Sequence, residues 1–468
     1  MNFTLKFLGA AQNVTGSRHL LECDGCRILI DCGLYQEREL QNRNWEDFGF
    51  IPAELNAILL THAHLDHCGL IPKLVKEGFT GKVYCTPATA EIAKIVLLDA
   101  GKLQEEDAEF KRKRHRKEGR EEVRPIEPLY TMEEAQKSFG VFSPVEFNQV
   151  FSPIPGVQVG FYQAGHILGA SIIKVVLQQE GQSRTILFTG DLGRSHKPII
   201  HDPRIFEQAD YILMESTYGD REHTEVEDTK QQLAGAVNDT WKAGGNIVVP
   251  SFSVERSQDV LYYLNELLLE NRIPHMMTFL DSPMAVRITE VFEKHPELYD
   301  DRMRVLMRQN NSPFSFKGLV KVQSTQESKA INNIKGTVMI IAGSGMCTGG
   351  RVKYHLVNNI SRPESTILFV GYQAGGTLGR EILDGKPEVR ILGRTCPVKA
   401  KIVRAHGFSG HADRKEMLDW LKNFRQPPRK IFLVHGEKVS AEHFRQYLTD
   451  NTGWDIMVPE YRQAVPLD

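Results

Sequence analysis

Thr61-His62-Ala63-His64-Leu65-Asp66-His67 sets three imidazoles and a carboxylate side by side. The segment follows Ala57-Ile58-Leu59-Leu60, an apolar run that reads as a buried strand. Residues two apart in an extended chain face the same side, so His62 and His64 can close on one ion together. Asp66 and His67 fall past the strand end and can turn toward a second ion. Neutral imidazole and carboxylate without thiolate suit zinc, with manganese and iron as poorer matches. One histidine here would read as a polar loop; four ligand-type residues at this spacing read as a metal site.

Composition bounds the rest. A chain of 468 residues with 41% apolar content predicts two or three domains, each with its own core. The 57 basic and 59 acidic residues leave a net charge of −2, so there is no global cationic field to draw nucleic acid. A nucleic-acid contact must then come from a local patch. No run of 18 apolar residues is present, which predicts no membrane span. The start, Met1 to Phe7, alternates like a strand and carries no signal-peptide core. Seven scattered cysteines fit a reducing cytoplasm. Cys23-Asp24-Gly25-Cys26 reads as a hairpin turn with incidental thiols rather than a redox pair.

Along the chain, residues 20–30 read as a hairpin, 69–77 as a short helix and 89–103 as a longer one. Residues 105–122 are densely charged, with seven Lys/Arg balanced by acids on both sides, and read as a solvated helical excursion, with an RNA-guiding patch or a localisation signal as the alternatives. Strands resume at Val157. From residue 209 the texture changes to short apolar runs, 209–215, 246–250, 276–280, 337–342 and 366–370, with helical stretches between several of them. That alternation predicts a parallel α/β sheet. Two late runs, 401–404 and 430–434, each precede a histidine.

More ligand-type residues sit at predicted strand ends: His166 after Gln163-Ala164-Gly165, Asp191 in Thr189-Gly190-Asp191, and His435 in Leu433-Val434-His435. Each alone reads as turn chemistry. With the first cluster they make five imidazoles and two carboxylates, a complement for two divalent ions with one bridging carboxylate. Glycine-rich turns follow two other strands, Gly343-Ser344-Gly345-Met346 running to Arg351, and Gly371 to Arg380. Backbone amides in such turns can cradle phosphate. Ser344, Gly345 and Arg351, with Ser253 and Arg256, are therefore candidate phosphate contacts; the plainer reading is a set of tight strand–helix turns. Phe252 and Tyr372 are candidates for base stacking, weighed against burial in the core.

The His62–His67 cluster, with Asp31, His166 and Asp191 in order, resembles the metallo-β-lactamase superfamily. Glu215 in Met214-Glu215-Ser216-Thr217, His411 in Gly407-Phe408-Ser409-Gly410-His411, and His435 resemble the further motifs of its β-CASP nuclease branch. The resemblance runs over nearly the whole chain. It implies an α/β fold: an αβ/βα sandwich at 1–208, an inserted parallel α/β domain at 209–395, and a return to the sandwich at 396–468. It implies two Zn2+, with Mn2+ as a substitute: His62, His64 and His166 on one, Asp66, His67 and His435 on the other, Asp191 bridging. Asp31 would orient a ligand histidine. Asp66, Glu215 and His411 would be the catalytic residues, with His411 donating a proton to the leaving ribose oxygen. The implied activity is hydrolysis of RNA, single-stranded and in the cytoplasm, by metal-activated hydroxide, endonucleolytically or from the 5′ end. The alternative is a DNA nuclease or another hydrolase on the same core; DNA-directed members of the branch carry valine where this chain has His435.

Overall fold

In the strand Phe3–Phe7 the residues Phe3, Leu5 and Phe7 are buried, while Thr4 and Lys6 between them are half-buried. A similar alternation recurs in Lys82–Cys85 and at the start of Val157–Gln163, and it specifies sheets with one face turned to a core. The computed structural model describes residues 3–23, 25–118, 126–179, 181–223 and 226–468. They divide into two compact units: residues 1–195, 202–222 and 411–468 in the first, 196–201 and 223–410 in the second.

The first unit holds two seven-stranded sheets. One runs in the order Ala464–Leu467, Phe3–Phe7, His19–Cys23, Cys26–Ile30, Ala57–Leu59, Lys82–Cys85, Phe142–Pro144. The other runs Ile456–Met457, Lys430–Val434, Tyr211–Glu215, Gln182–Phe188, Ser171–Gln179, Val157–Gln163, Val150–Ile154. Leu5, Phe7, Leu21, Ile28 and Ile30 from the first sheet share one core with Val159, Phe161, Ile173, Val175, Phe188 and Phe432 from the second. Each such side chain, taken from water to full burial, contributes roughly 1.5–3 kcal/mol. The expected sandwich is present. Cys23 stands opposite Cys26 in the register of the hairpin.

The second unit is a six-stranded, all-parallel sheet in the order Leu319–Lys321, Met277–Leu280, Val338–Ala342, Ile247–Pro250, Thr366–Phe369, Lys401–Arg404. Its four inner strands are almost wholly buried, as a sheet covered on both faces requires. This is the predicted parallel α/β domain.

The units divide at other places than the expected 208/209 and 395/396. Tyr211–Glu215 lies parallel to Gln182–Phe188 and to Lys430–Val434, inside the first unit's sheet. Lys401–Arg404 lies parallel to Thr366–Phe369, as an edge of the second unit's sheet. An apolar run states that it is a strand; its pairing partner, which decides the unit, is not written in it.

The helix Pro87–Glu118 absorbs both the predicted helix at 89–103 and the start of the charged excursion, whose remainder, beyond Glu118, lies outside the described residues. Its charged end is exposed and laced by pairs one turn apart: Lys111 with Asp107 at 2.6 Å, Arg114 with Glu118 at 2.8 Å. That is the solvated face the charge balance predicts. Among the described residues no helix is long and apolar enough to cross a membrane.

Candidate metal centre

The loops that leave the strands Ala57–Leu59, Val157–Gln163, Gln182–Phe188, Tyr211–Glu215 and Lys430–Val434 meet within the first unit. His62 and His64 lie on the extended segment after the first strand, and the short helix Leu65–Cys68 carries Asp66 and His67. His166 sits in the turn between Val157–Gln163 and Ser171–Gln179. There Gly165 and Gly169 take φ of 69° and 82°, a conformation that favours glycine. Asp31 and His435 hold φ of 59° and 50°, unusual for residues with a side chain. The His435 amide is anchored to the Ala10 carbonyl at 2.7 Å.

Four ligand atoms form one group. His62 Nε2 and His166 Nε2 are 3.1 and 3.2 Å from His64 Nδ1, and both are 3.3 Å from Asp191 Oδ2. An ion about 2.0–2.1 Å from each corner of a tetrahedron would leave its corners about 3.3 Å apart. The second group is Asp66, His67 and His435. His67 Nε2 is 3.1 Å from His435 Nε2, and His435 Nε2 is 3.4 Å from Asp66 Oδ2. The other oxygen of Asp191, Oδ1, lies 3.2 Å from His67 Nε2 and is buried with no hydrogen-bond donor. One carboxylate thus shows one oxygen to each group.

The tautomers are set from behind. Asp31 Oδ2 accepts from His67 Nδ1 at 2.7 Å. Thr217 Oγ1 donates to the His435 carbonyl at 2.9 Å, so it accepts from His435 Nδ1 at 3.1 Å. Thr61 Oγ1 lies 2.9 Å from Asp31 Oδ2 and 3.1 Å from His62 Nδ1, the same arrangement once more. Each backing contact places the N–H behind the ring and leaves an Nε2 lone pair facing the group. Burial keeps His62 and His166 below the usual imidazole range and takes His64 down to about 3, so these three are neutral, as metal binding requires. Burial would also lower His67 and His435, but the facing carboxylates, Asp191 first, raise both. Buried acids that draw protons onto their neighbours mark a centre short of positive charge, and the donor set fits divalent cations.

His411 and Glu215 stand beside these groups. His411 Nδ1 is 2.9 Å from Glu215 Oε2 but 3.9 Å from Asp191 Oδ2, which makes Glu215 its partner. Glu215 is fully buried and also accepts from the Leu192 amide at 2.6 Å. Burial pulls His411 down, yet Glu215 and Asp191 carry it up to about 9. At neutral pH it is a charged acid with Nδ1 engaged and Nε2 as the transferable-proton site. The side chains of His411 and Asp66 are 20% and 17% exposed, against 4% or less for His62, His67, His166, Asp191 and His435. The centre therefore opens on their side.

The five phosphate candidates lie in the second unit, at the carboxyl edge of its sheet. Ser253 Oγ is 3.1 Å from Ser282 Oγ, and Ser344 Oγ accepts from the Gly349 amide at 3.2 Å. Gly345 is buried beneath the ring of Phe252. Arg351 is held by Asp281 at 2.6 Å and by the Gln323 carbonyl at 2.7 Å. Arg256 faces Asp259 at 3.8 Å and the Phe408 ring at 5.9 Å. The roles of Thr61 and Thr217 are not legible in the sequence, because a hydroxyl backing an imidazole has no spacing signature. Thr217 sits two residues past Glu215, which is the one clue to it.

Three family models match this chain: a metallo-beta-lactamase superfamily domain at residues 20–213, a Beta-Casp domain at 257–382, and a Zn-dependent metallo-hydrolase RNA specificity domain at 395–459. Ribonuclease TTHA0252 of Thermus thermophilus is 37% identical over 459 residues, 98% of this chain and 99% of that protein. Transcription termination factor FttA of Methanocaldococcus jannaschii is 30% identical over 453 residues, 94% of this chain and 68% of the relative. A solved structure of a protein of unknown function from Enterococcus faecalis V583 superposes with a TM-score of 0.57 over the full length of both chains at 15% identity, a likeness of fold alone.

Proposed function

The chain belongs to the β-CASP family of metallo-β-lactamase-fold hydrolases, and from that premise we propose that it is a metal-dependent ribonuclease holding two zinc ions. His62, His64, His166 and Asp191 would hold one ion. Asp66, His67, His435 and the second oxygen of Asp191 would hold the other; manganese is the expected substitute. One observation carries the reading: Asp191 places Oδ2 3.3 Å from two imidazole nitrogens of one group and Oδ1 3.2 Å from His67 of the other. When bound, the ions polarise a phosphate oxygen and acidify the water that attacks phosphorus.

The chain's own residues then serve the leaving group. As the bond from phosphorus to the departing ribose oxygen breaks, that oxygen takes a proton from His411 Nε2. Glu215 holds the ring by Nδ1 and stabilises its charged form before transfer. The imidazole is left neutral and regains its proton from water. RNA is favoured as substrate by the ribonuclease relative and by the match at residues 395–459. Single-stranded RNA and the cytoplasm complete the proposal, the latter suited to a chain whose seven cysteines are scattered rather than arranged as a disulfide framework.

Cleavage of labelled RNA and DNA of identical sequence, with and without a chelator, tests it. RNA cleavage that stops on chelation and returns with zinc is expected. Cleavage of DNA alone, or of RNA in excess chelator, overturns the reading.

A further inference from the structure

Three loops at the carboxyl edge of the second unit's sheet bring together side chains with no part in the metal chemistry. They follow the strands Ile247–Pro250, Val338–Ala342 and Thr366–Phe369. Phe252, in the first loop, rests on the second and borders the third. A Cβ at Gly345 would lie 2.7 Å from its ring, and one at Gly371 would lie 3.4 Å away. The ring therefore lies against bare backbone, where a side chain at Gly345 would displace it. Yet it is 37% exposed, and Tyr372, the residue after Gly371, is 45% exposed.

An aromatic carried on glycine backbone and left open is unlike a core residue. The surroundings say what it would meet. Ser253 and Ser282 hydroxyls lie 3.1 Å apart nearby, and the Gln373 amide donates to the Gly345 carbonyl at 2.9 Å. Among the described residues of these loops, the exposed large apolar side chains are two aromatics and no aliphatic. A protein-docking patch would carry branched aliphatics as well. Flat rings among hydroxyls suit a partner that is itself flat and rimmed with polar groups. The carboxyl ends of parallel strands are also where open α/β sheets take their ligands.

We propose that Phe252 and Tyr372 form a stacking platform for a base of a single-stranded RNA. It rests on the ribonuclease reading and adds a subsite to it. Stacking is tolerant of base identity, so the platform would grip RNA without reading its sequence. Loss of a stacked base should cost roughly tenfold in affinity.

The test pairs a protein change with an RNA change. The wild type and the Phe252→Leu/Tyr372→Ser double variant are given a set of oligoribonucleotides, each with one abasic position, and kcat/KM is read for each. Hydrolysis of a nitrophenyl phosphodiester, too small to reach a second subsite, reports the metal centre. The wild type should lose about tenfold at one abasic position, mostly in KM. The double variant should show that loss already on intact RNA, be indifferent to the abasic position, and keep full nitrophenyl activity. A double variant with wild-type KM, or with the wild type's abasic sensitivity, overturns the platform and leaves the ribonuclease reading standing. A wild type that cleaves no RNA overturns both. Should Phe252→Leu depress nitrophenyl activity, Tyr372→Ser alone carries the test, since its side chain is about half exposed.

Discussion

Asp191 and Asp281 both lie just past the end of a buried strand, are both themselves buried, and are surrounded by opposite chemistry. Asp281 accepts from Arg351 at 2.6 Å, from His355 at 2.6 Å and from Ser328 at 2.5 Å. Its charge is matched within the fold, and hydrogen bonds from His355, Ser328 and Arg351 outweigh burial to hold its carboxyl below the usual range. Asp191 has imidazoles on every side, and its Oδ1 receives no donor. Sequence makes the two look alike, as acids in strand-end turns. The first unit leaves a deficit of positive charge that an ion can fill; the second fills its own with a guanidinium. A functional carboxylate is recognised by what fails to balance it.

That contrast breaks if the two acids respond alike. Asp191→Ala should abolish RNA cleavage and lower bound metal, because each of its oxygens serves one group. Cleavage assays with metal analysis on the purified variant check this; retained activity would remove Asp191 from the centre. His411→Ala should keep its metal and lose about 10²–10⁴-fold in turnover on RNA. On a nitrophenyl phosphodiester, whose leaving oxygen needs no proton, the loss should be far smaller. Equal losses on both substrates would make His411 a structural residue.

Thr217→Val should weaken metal binding by about 10–100-fold, since the hydroxyl that fixes the His435 tautomer is gone. Competition with a chelating dye reads that shift, and unchanged affinity would show that His435 is oriented by the fold alone. Asp281→Ala should do the reverse. It strands Arg351 and costs roughly 3–5 kcal/mol of stability, read by denaturant unfolding. Metal content and nitrophenyl hydrolysis per folded molecule should not change. A loss of metal there would erase the distinction between the two acids.

Much of this was legible from residues alone. Period-two burial in strands such as Phe3–Phe7 makes the sandwich readable, and buried runs such as Val338–Ala342 make the parallel sheet readable. His62, His64, Asp66 and His67 stand close in sequence, so local geometry could pair them. His166, Asp191 and His435 come from three distant strand ends; residue type and strand-end position joined them to the first cluster, and only resemblance divided the set between two ions. Pairing was not legible: Tyr211–Glu215 and Lys401–Arg404 each join a different unit's sheet from the one expected. The strand Leu319–Lys321, three half-buried residues long, carries too little pattern to be seen. Nor could sequence show that Arg351 is already engaged by Asp281, because the two lie on separate strand–helix turns.

The central claim is that one carboxylate holds two ions between two groups of ligands. Elemental analysis of the intact protein, purified gently and supplemented with zinc, tests it most directly. Two zinc ions per chain are predicted, falling when Asp191 is replaced by alanine. One ion or none in the intact protein, or two retained without Asp191, would contradict it.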